Sequence, residues 1–152
     1  IHALSDLLVR GTILLVDYGY ARRDYYLPDR YSGTLMCHYR HIAHDDALLW
    51  PGLQDITSHV DFTAVAEAAS DAGLNVCGYT SQGNFLIGCG IDELLAGSST
   101  GPDMADSYSR AEAVKRLMLP TEMGEIFKVM ALSRGIEQPM RGFGFRDLIG
   151  SL

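Results

Sequence analysis

Residues 12 to 16 read TILLV, and no other stretch restricts the fold as tightly. A short continuous apolar run suits a strand buried on both faces, as in a parallel sheet covered by helices. The run ends in Asp17-Tyr18-Gly19. Ligands of open α/β sheets bind beyond the carboxyl ends of strands, so a carboxylate followed by glycine at that edge is a candidate site. Asp17 has a plainer use as well, satisfying amides of its own loop, and the sequence leaves both readings open.

Around this run the chain alternates helices and strands. Ile1, Leu4, Leu7 and Leu8 follow helical spacing, and Gly11 is the expected stop of that first helix. The helix opens on Ile1 with no cap before it, which reads as a processed or truncated piece of a longer protein. Asp61 is an N-cap, Val60 and Val65 form a hydrophobic staple, and Phe62, Val65, Ala66 and Ala69 make an apolar stripe ending at Gly73. Leu74 to Tyr79 then reads as a strand, and Ile126 to Leu132 as a late one. Residues 82 to 96 are ambiguous between helix and strand, and residues 97 to 108 carry loop composition. Ser109 and Glu112 form a capping box for a helix that holds Val114, Leu117 and Met118 and stops at Pro120. The tail around Gly142 and Gly144 reads as irregular. Together this is an α/β alternation within one domain.

Residues 18 to 58 stand apart as a long irregular stretch holding six of the eight tyrosines. Disordered segments are poor in aromatics, so an ordered lid or substrate surface is expected. Within it lies GTLMCHYRHIAHDD, with Cys37, His38, His41, His44, Asp45 and Asp46 in close succession. Structural zinc sites show paired ligand spacings, and no second pair follows downstream. The histidines and Arg40 are read instead as hydrogen-bonding or substrate-positioning groups, and no metal is expected. Cys37 beside a histidine in sequence does not make a thiol nucleophile, which needs adjacency in space. A second polar cluster, Asp55, Thr57, His59 and Asp61, precedes a helix N-terminus. His59 there is a candidate general base or hydrogen-bond pivot, and a capped turn is the alternative.

The bulk properties exclude several classes. The chain of 152 residues carries net charge -7, against nucleic-acid or anionic-membrane binding. Arg10, Arg22, Arg23, Arg30 and Arg40 still allow a local basic face. No apolar run is long enough to span a bilayer, and no signal peptide opens the chain. Cys37, Cys77 and Cys89 are scattered and odd in number, so a reducing, cytoplasmic compartment is expected. No GxSxG, GxGxxG or GxxxxGK[ST] motif is present.

GTILLVDYGY, YSGTLMCHYRHIAHDD, PGLQDITSHVDFTAVAEAASDAGLNVCGYTSQGNFL and MGEIFKVMAL follow one another in this order. Over nearly the whole chain this resembles the C-terminal half of the MidA family of S-adenosylmethionine-dependent methyltransferases. Its eukaryotic members include the mitochondrial complex I assembly arginine methyltransferase. The resemblance implies the C-terminal part of a Rossmann-like class I methyltransferase fold. TILLV is then the fifth strand, LNVCGY and FKVMALS the late antiparallel pair of a mixed sheet, and residues 82 to 124 a helical insertion. Residues 1 to 152 form a single partial domain, with 18 to 58 as a substrate-side loop. The family's glycine-rich cofactor loop does not occur here, so the cofactor, S-adenosyl-L-methionine, belongs to a longer parent and the chain alone is expected to be inactive.

Carried over position by position, the family's motifs fall on Asp17, Tyr18 and Gly19, on Gly33, Thr34 and Leu35, and on Asp55, Thr57, His59, Val60, Asp61 and Phe62. The resemblance implies Asp17 and His59 as catalytic residues. It implies Tyr18, Gly19, Thr34, Asp55, Thr57 and Asp61 as substrate-binding residues, and His38 and Arg40 join them as the substrate-positioning groups read from the loop. The substrate implied is a protein, through an arginine side chain. The missing half of the domain is the implied partner, with self-association of the exposed sheet edge in its absence. The alternatives are a non-catalytic protein-interaction module and, less favoured, a small metal-binding protein.

Overall fold

The computed structural model describes residues 1–98 and 104–152. The first half runs α1 (His2–Leu7), β1 (Gly11–Tyr20), α2 (Arg22–Tyr25), β2 (Met36–Tyr39), β3 (Ile42–His44), β4 (Asp55–Thr57), β5 (Val60–Asp61) and α3 (Phe62–Asp71). The second half runs β6 (Asn75–Ser81), α4 (Gln82–Cys89), α5 (Ile91–Ser98), α6 (Met104–Met118) and β7 (Phe127–Arg134).

The main sheet has the order β5-β1-β7-β6. β7 is antiparallel to β1, from Gly11 opposite Arg134 to Tyr18 opposite Phe127. It is antiparallel to β6 on its other edge, with an irregularity between Val76 and Gly78. β5 joins β1 in parallel through Gly19–Val60 and Tyr20–Asp61. The late strands thus form the antiparallel pair that the resemblance implies, in a mixed sheet.

Side chains alternate across this sheet and fill two layers. Met130 and Leu132 face one way and pack with Phe62, Ala69, Leu74 and Tyr79 under α1 and α3. Val129 and Ala131 face the other way, against Phe143, Phe85 and Met140. β1 departs from the reading of a strand buried on both faces in parallel surroundings. Ile13 and Leu15 enter the first layer, whereas Leu14 and Val16 are each 49% exposed. The second layer covers β7 and leaves β1 open. Among the described residues nothing pairs with the other edge of β1 before Gly19.

Three boundaries differ from the sequence reading. α1 ends at Leu7 rather than Gly11, because a guanidinium takes over its last carbonyls. Arg134 Nη1 donates to the Ser5 and Leu8 carbonyls, both at 2.8 Å, and Nη2 donates to Ser5 Oγ at 2.5 Å and the Ala72 carbonyl at 2.9 Å. Ser109 and Glu112 do not cap α6, which already begins at Met104. Glu112 instead pairs with Lys115 one turn on, at 2.7 Å. Of the loop expected over 97 to 108, residues 97 and 98 end α5, residues 104 to 108 are helical, and the rest lies outside the described residues. α3 starts where expected: Asp61 Oδ1 accepts the Ala64 amide at 3.0 Å. The ambiguous stretch from residue 82 is helix, broken at left-handed Gly90.

The tail is irregular but tied down. The Asp147 carboxylate accepts the Tyr79 amide at 3.2 Å, and the Leu148 amide donates to the Tyr79 carbonyl at 2.6 Å. These bonds occupy the outer edge of β6, which is one way proteins blunt an exposed strand.

Residues 18 to 58 are more regular than the sequence reading. They carry a second antiparallel sheet, ordered β3-β2-β4. Its strands of three or four residues are too short for alternation to register. Its tight turn also lacks the usual residues. Tyr39 faces Ile42, so Arg40 and His41 alone make the turn, with φ of 46° and 67°. That sign at both central positions is the type I′ pattern, normally Asn-Gly, and left-handed backbone costs other residues about 1–2 kcal/mol each. Replacing both, Arg40→Asn with His41→Gly, is expected to raise unfolding stability by about 1–2 kcal/mol. A higher urea midpoint at unchanged slope is the measurement.

Candidate functional site

The carboxyl end of β1 reads Tyr18-Gly19-Tyr20, and strand alternation puts the two tyrosines on one face. His59, from the residues leading into β5, lies between them. Its ring stacks on Tyr20 at 5.1 Å and 21°, and meets Tyr18 edge-on at 5.3 Å and 75°. Phe127 of β7 supports Tyr18 from the neighbouring strand, at 5.7 Å. Gly19 makes this approach possible. A side chain there would collide with the Val60 backbone, so β5 comes alongside β1 only over glycine.

The loop from 28 to 34 closes the arrangement. Thr34 Oγ1 accepts the His59 amide at 3.2 Å and shares a hydrogen bond with the Tyr25 hydroxyl at 3.3 Å. The Arg30 guanidinium lies 3.8 Å from the centre of the Tyr20 ring and donates to the Asp24 carbonyl. These groups border a cavity of about 710 Å³, lined by Tyr18, Arg30, residues 32 to 36, His38, Asp45, Thr57 and His59.

The surroundings of His59 disfavour a proton on its ring. Burial is the main cause of its lowered pKa, and the Arg30 charge adds to it. The Thr34 backbone and the Asp17 carboxylate pull the other way. Its Nδ1 is buried and has no hydrogen-bond partner among the described residues, so a proton and charge on that ring would be poorly satisfied. On β7, burial also lowers the Lys128 pKa, against the pull of Glu125 and Asp24.

The cavity brings together Tyr18, Thr34, His38, Thr57 and His59 from the candidates read in the sequence. The other candidates lie elsewhere. Asp17 is exposed, falls on the strand face opposite Tyr18, and accepts the Tyr18 amide at 2.8 Å. Gly19 lies beneath the cavity. Arg40 sits in the β2–β3 turn, 5.3 Å from the Tyr39 ring. Asp55 is exposed on β4, opposite His38. Asp61 is committed at both oxygens, to the α3 cap and to Arg22 Nε at 3.3 Å. Arg22 also grips Glu67 through two nitrogens, at 2.7 and 2.6 Å, and that contact lowers the Glu67 pKa.

The cysteine and histidine cluster is divided by the hairpin. Cys37 is buried and faces His44 across the ladder, while His38 points to the cavity face and His41 occupies the turn. Trp50 meets the His44 ring edge-on at 6.0 Å. Among the described residues no group of three or more histidine, cysteine or acidic side chains is placed to hold a metal ion. The sequence reading missed Tyr20, Arg30 and Asp45 as site residues. The period-two spacing of Tyr18 and Tyr20 was the available signal for the first, whereas Arg30 and Asp45 reach the cavity through loop geometry that no local pattern encodes.

Residues 1–80 match a family described as putative S-adenosyl-L-methionine-dependent methyltransferase. The mitochondrial protein arginine methyltransferase NDUFAF7 of Rattus norvegicus is 31% identical over 125 residues, which are 80% of this chain and 26% of that protein. The Bos taurus protein of the same name is 32% identical over 128 residues, 82% of this chain and again 26% of its own length. A protein from Burkholderia thailandensis, crystallised with S-adenosyl-homocysteine bound, superimposes with a TM-score of 0.93 at 45% identity. That match covers 99% of this chain and 39% of the Burkholderia chain. The chain therefore spans about a quarter of the curated relatives and about two fifths of the solved structure.

The lowered His59 pKa gives stability a pH dependence of known sign. The unfolded chain protonates His59 near 6.5, and the folded chain does so only at lower pH. Between those values the unfolded state binds more protons, so stability rises with pH across that window. The contribution is complete above pH 6.5 and is lost as pH falls through the folded-state value. Urea midpoints measured on acidification should drop below pH 6.5, and His59→Gln should flatten that part of the profile.

Proposed function

The chain belongs to the family of S-adenosyl-L-methionine-dependent methyltransferases matched over residues 1–80, and from that premise we propose that it forms the acceptor side of such an enzyme. The acceptor in this reading is an arginine side chain of a protein, as the names of the mammalian relatives suggest. The observation that carries the proposal is the neutral His59, bracketed by two tyrosines, lining a cavity at the carboxyl end of β1. Methylating a guanidinium nitrogen releases one proton, and an uncharged imidazole can receive it without first repelling the cationic acceptor. Asp45 supplies the cavity carboxylate that attracts the guanidinium, the Tyr18 ring gives it a flat apolar wall, and Thr34 and Thr57 offer hydroxyls. Asp17 acts at longer range, through its charge on His59.

The cofactor does not fit on this chain's residues alone. A nucleoside sulfonium needs a backbone cradle and a carboxylate for its ribose hydroxyls. Asp45 is an exposed loop side chain, and Arg30 is already engaged by Tyr20 and the Asp24 carbonyl. In this reading the remainder of the domain carries the cofactor and covers the open edge of β1 together with Leu14 and Val16. The compartment proposed for a bacterial member is the cytoplasm. Two copies should pair through the β1 edge when nothing else covers it.

A second reading, a non-catalytic interaction module, draws on the apolar surface of the smaller sheet and its loop. Ile42 and Leu53 are each 67% exposed, and Leu48 is 84% exposed. One experiment separates the two. In the full-length gene product, calorimetry should detect binding of S-adenosyl-homocysteine. His59→Ala should lower methyl transfer to protein arginine roughly 100-fold while leaving that binding unchanged. A product that binds no S-adenosyl-homocysteine leaves the interaction module as the surviving reading.

A further inference from the structure

Arg30 is a cation at the cavity. Among the described residues no ion pair includes it, and its contacts are the face of Tyr20 and the Asp24 carbonyl. It stands at the end of the Pro28–Arg30 turn, four residues before Thr34, which holds the His59 backbone. One short loop thus fixes both members of the stack, Tyr20 through Arg30 and His59 through Thr34. Tyr20 is where the two holds meet, 3.8 Å from the guanidinium and 5.1 Å from the imidazole.

We propose that Arg30 is a positioning residue for His59: packed on Tyr20, it fixes the ring on which the imidazole stacks and sets a positive charge beside it. Its guanidinium suits this task, since a flat cation lies on an aromatic face and retains its charge at every relevant pH. Other charges face the imidazole as well. Asp17 on β1 favours a proton on it, and Asp45 lines the same cavity. Lys128 on β7 lies 6.0 Å from the Tyr20 ring, and His38 on β2 shares the lining. For His59 the Arg30 charge outweighs that of Asp17, which agrees with the direction of its titration. Calling the effect catalytic rests on the reading of His59 as proton acceptor, whereas the positioning is a property of this chain alone.

The test is a nuclear magnetic resonance titration of the full chain with labelled histidine, with His59 assigned by its loss in His59→Gln. Arg30→Gln should raise the His59 midpoint by about half a unit to one unit and move its ring resonances as the Tyr20 stack loosens. Arg30→Lys, which keeps the charge and loses the flat contact, should restore most of the midpoint and little of the ring shift. An unchanged midpoint and unchanged ring resonances in folded Arg30→Gln would overturn the proposal. Should Arg30→Gln fail to fold, salt decides on the native chain. A His59 midpoint that climbs toward about 1 M salt, where the screening length is about 3 Å, supports the role of the Arg30 charge, and a flat or falling one refutes it. The titration needs no methyl transfer, so an inactive enzyme with the predicted titration would remove the catalytic reading and leave the positioning intact.

Discussion

β7 is the strand on which the molecule depends, because it is bonded along both edges and buried on both faces. Val129 through Ser133 are essentially inaccessible to solvent. Met130 and Leu132 belong to one layer and Val129 and Ala131 to the other, so a single strand feeds both cores. Burying an aliphatic side chain of that size contributes about 1.5–3 kcal/mol, which makes this strand a large share of a small domain's stability. It also sets the site. The register that places Phe127 opposite Tyr18 gives that tyrosine its support and brings Lys128 near Tyr20. A slip of one residue would turn these side chains to the other face.

α3 transmits this order to His59, since it is pinned at both ends. At its carboxyl end Arg134, rooted in β7, takes the Ala72 carbonyl along with those of Ser5 and Leu8. Carbonyls at helix ends carry partial negative charge, so a guanidinium is satisfied there without a carboxylate. At the amino end Asp61 caps the helix and meets Arg22, which grips Glu67 a turn and a half further on. The Arg22–Glu67 contact is exposed and screened, so it adds orientation more than stability. His59 sits two residues before this fixed point, and its ring has little freedom left once the tyrosines and Thr34 close on it.

The parts of the fold that were legible in sequence rest on local physics. The strand over TILLV, the cap at Asp61 and the strand after Gly73 each follow from residues near one another in the chain. What escaped depends on partners far away. Five apolar residues in a row carry no alternation, so the half-exposure of Leu14 and Val16 became visible only with β7 on one edge and, among the described residues, nothing on the other before Gly19. The small sheet was hidden because its strands are short and its turn uses Arg40 and His41 where glycine is usual. The DYG and SHVDF motifs lie beside the cavity at the carboxyl end of β1. Which residue faces the cavity is a matter of strand parity and register, and that parity favours Tyr18 over Asp17.

The same parity links the open surface to the cavity. Leu14, Val16, Tyr18 and Tyr20 share one face of β1; the first two are half exposed, Tyr18 lines the cavity and Tyr20 stacks on His59. A body that covers Leu14 and Val16 and bonds to the edge of β1 must therefore end beside the cavity, on the side where this chain offers no cradle for a nucleoside. In the proposed reading, covering the apolar face and completing the site are then one event rather than two. Water lost from Leu14 and Val16 would favour that docking, and docking would enclose His59 in a lower dielectric, which strengthens charge interactions. A strand edge left bare beside the cavity is what that reading expects of an acceptor-side half.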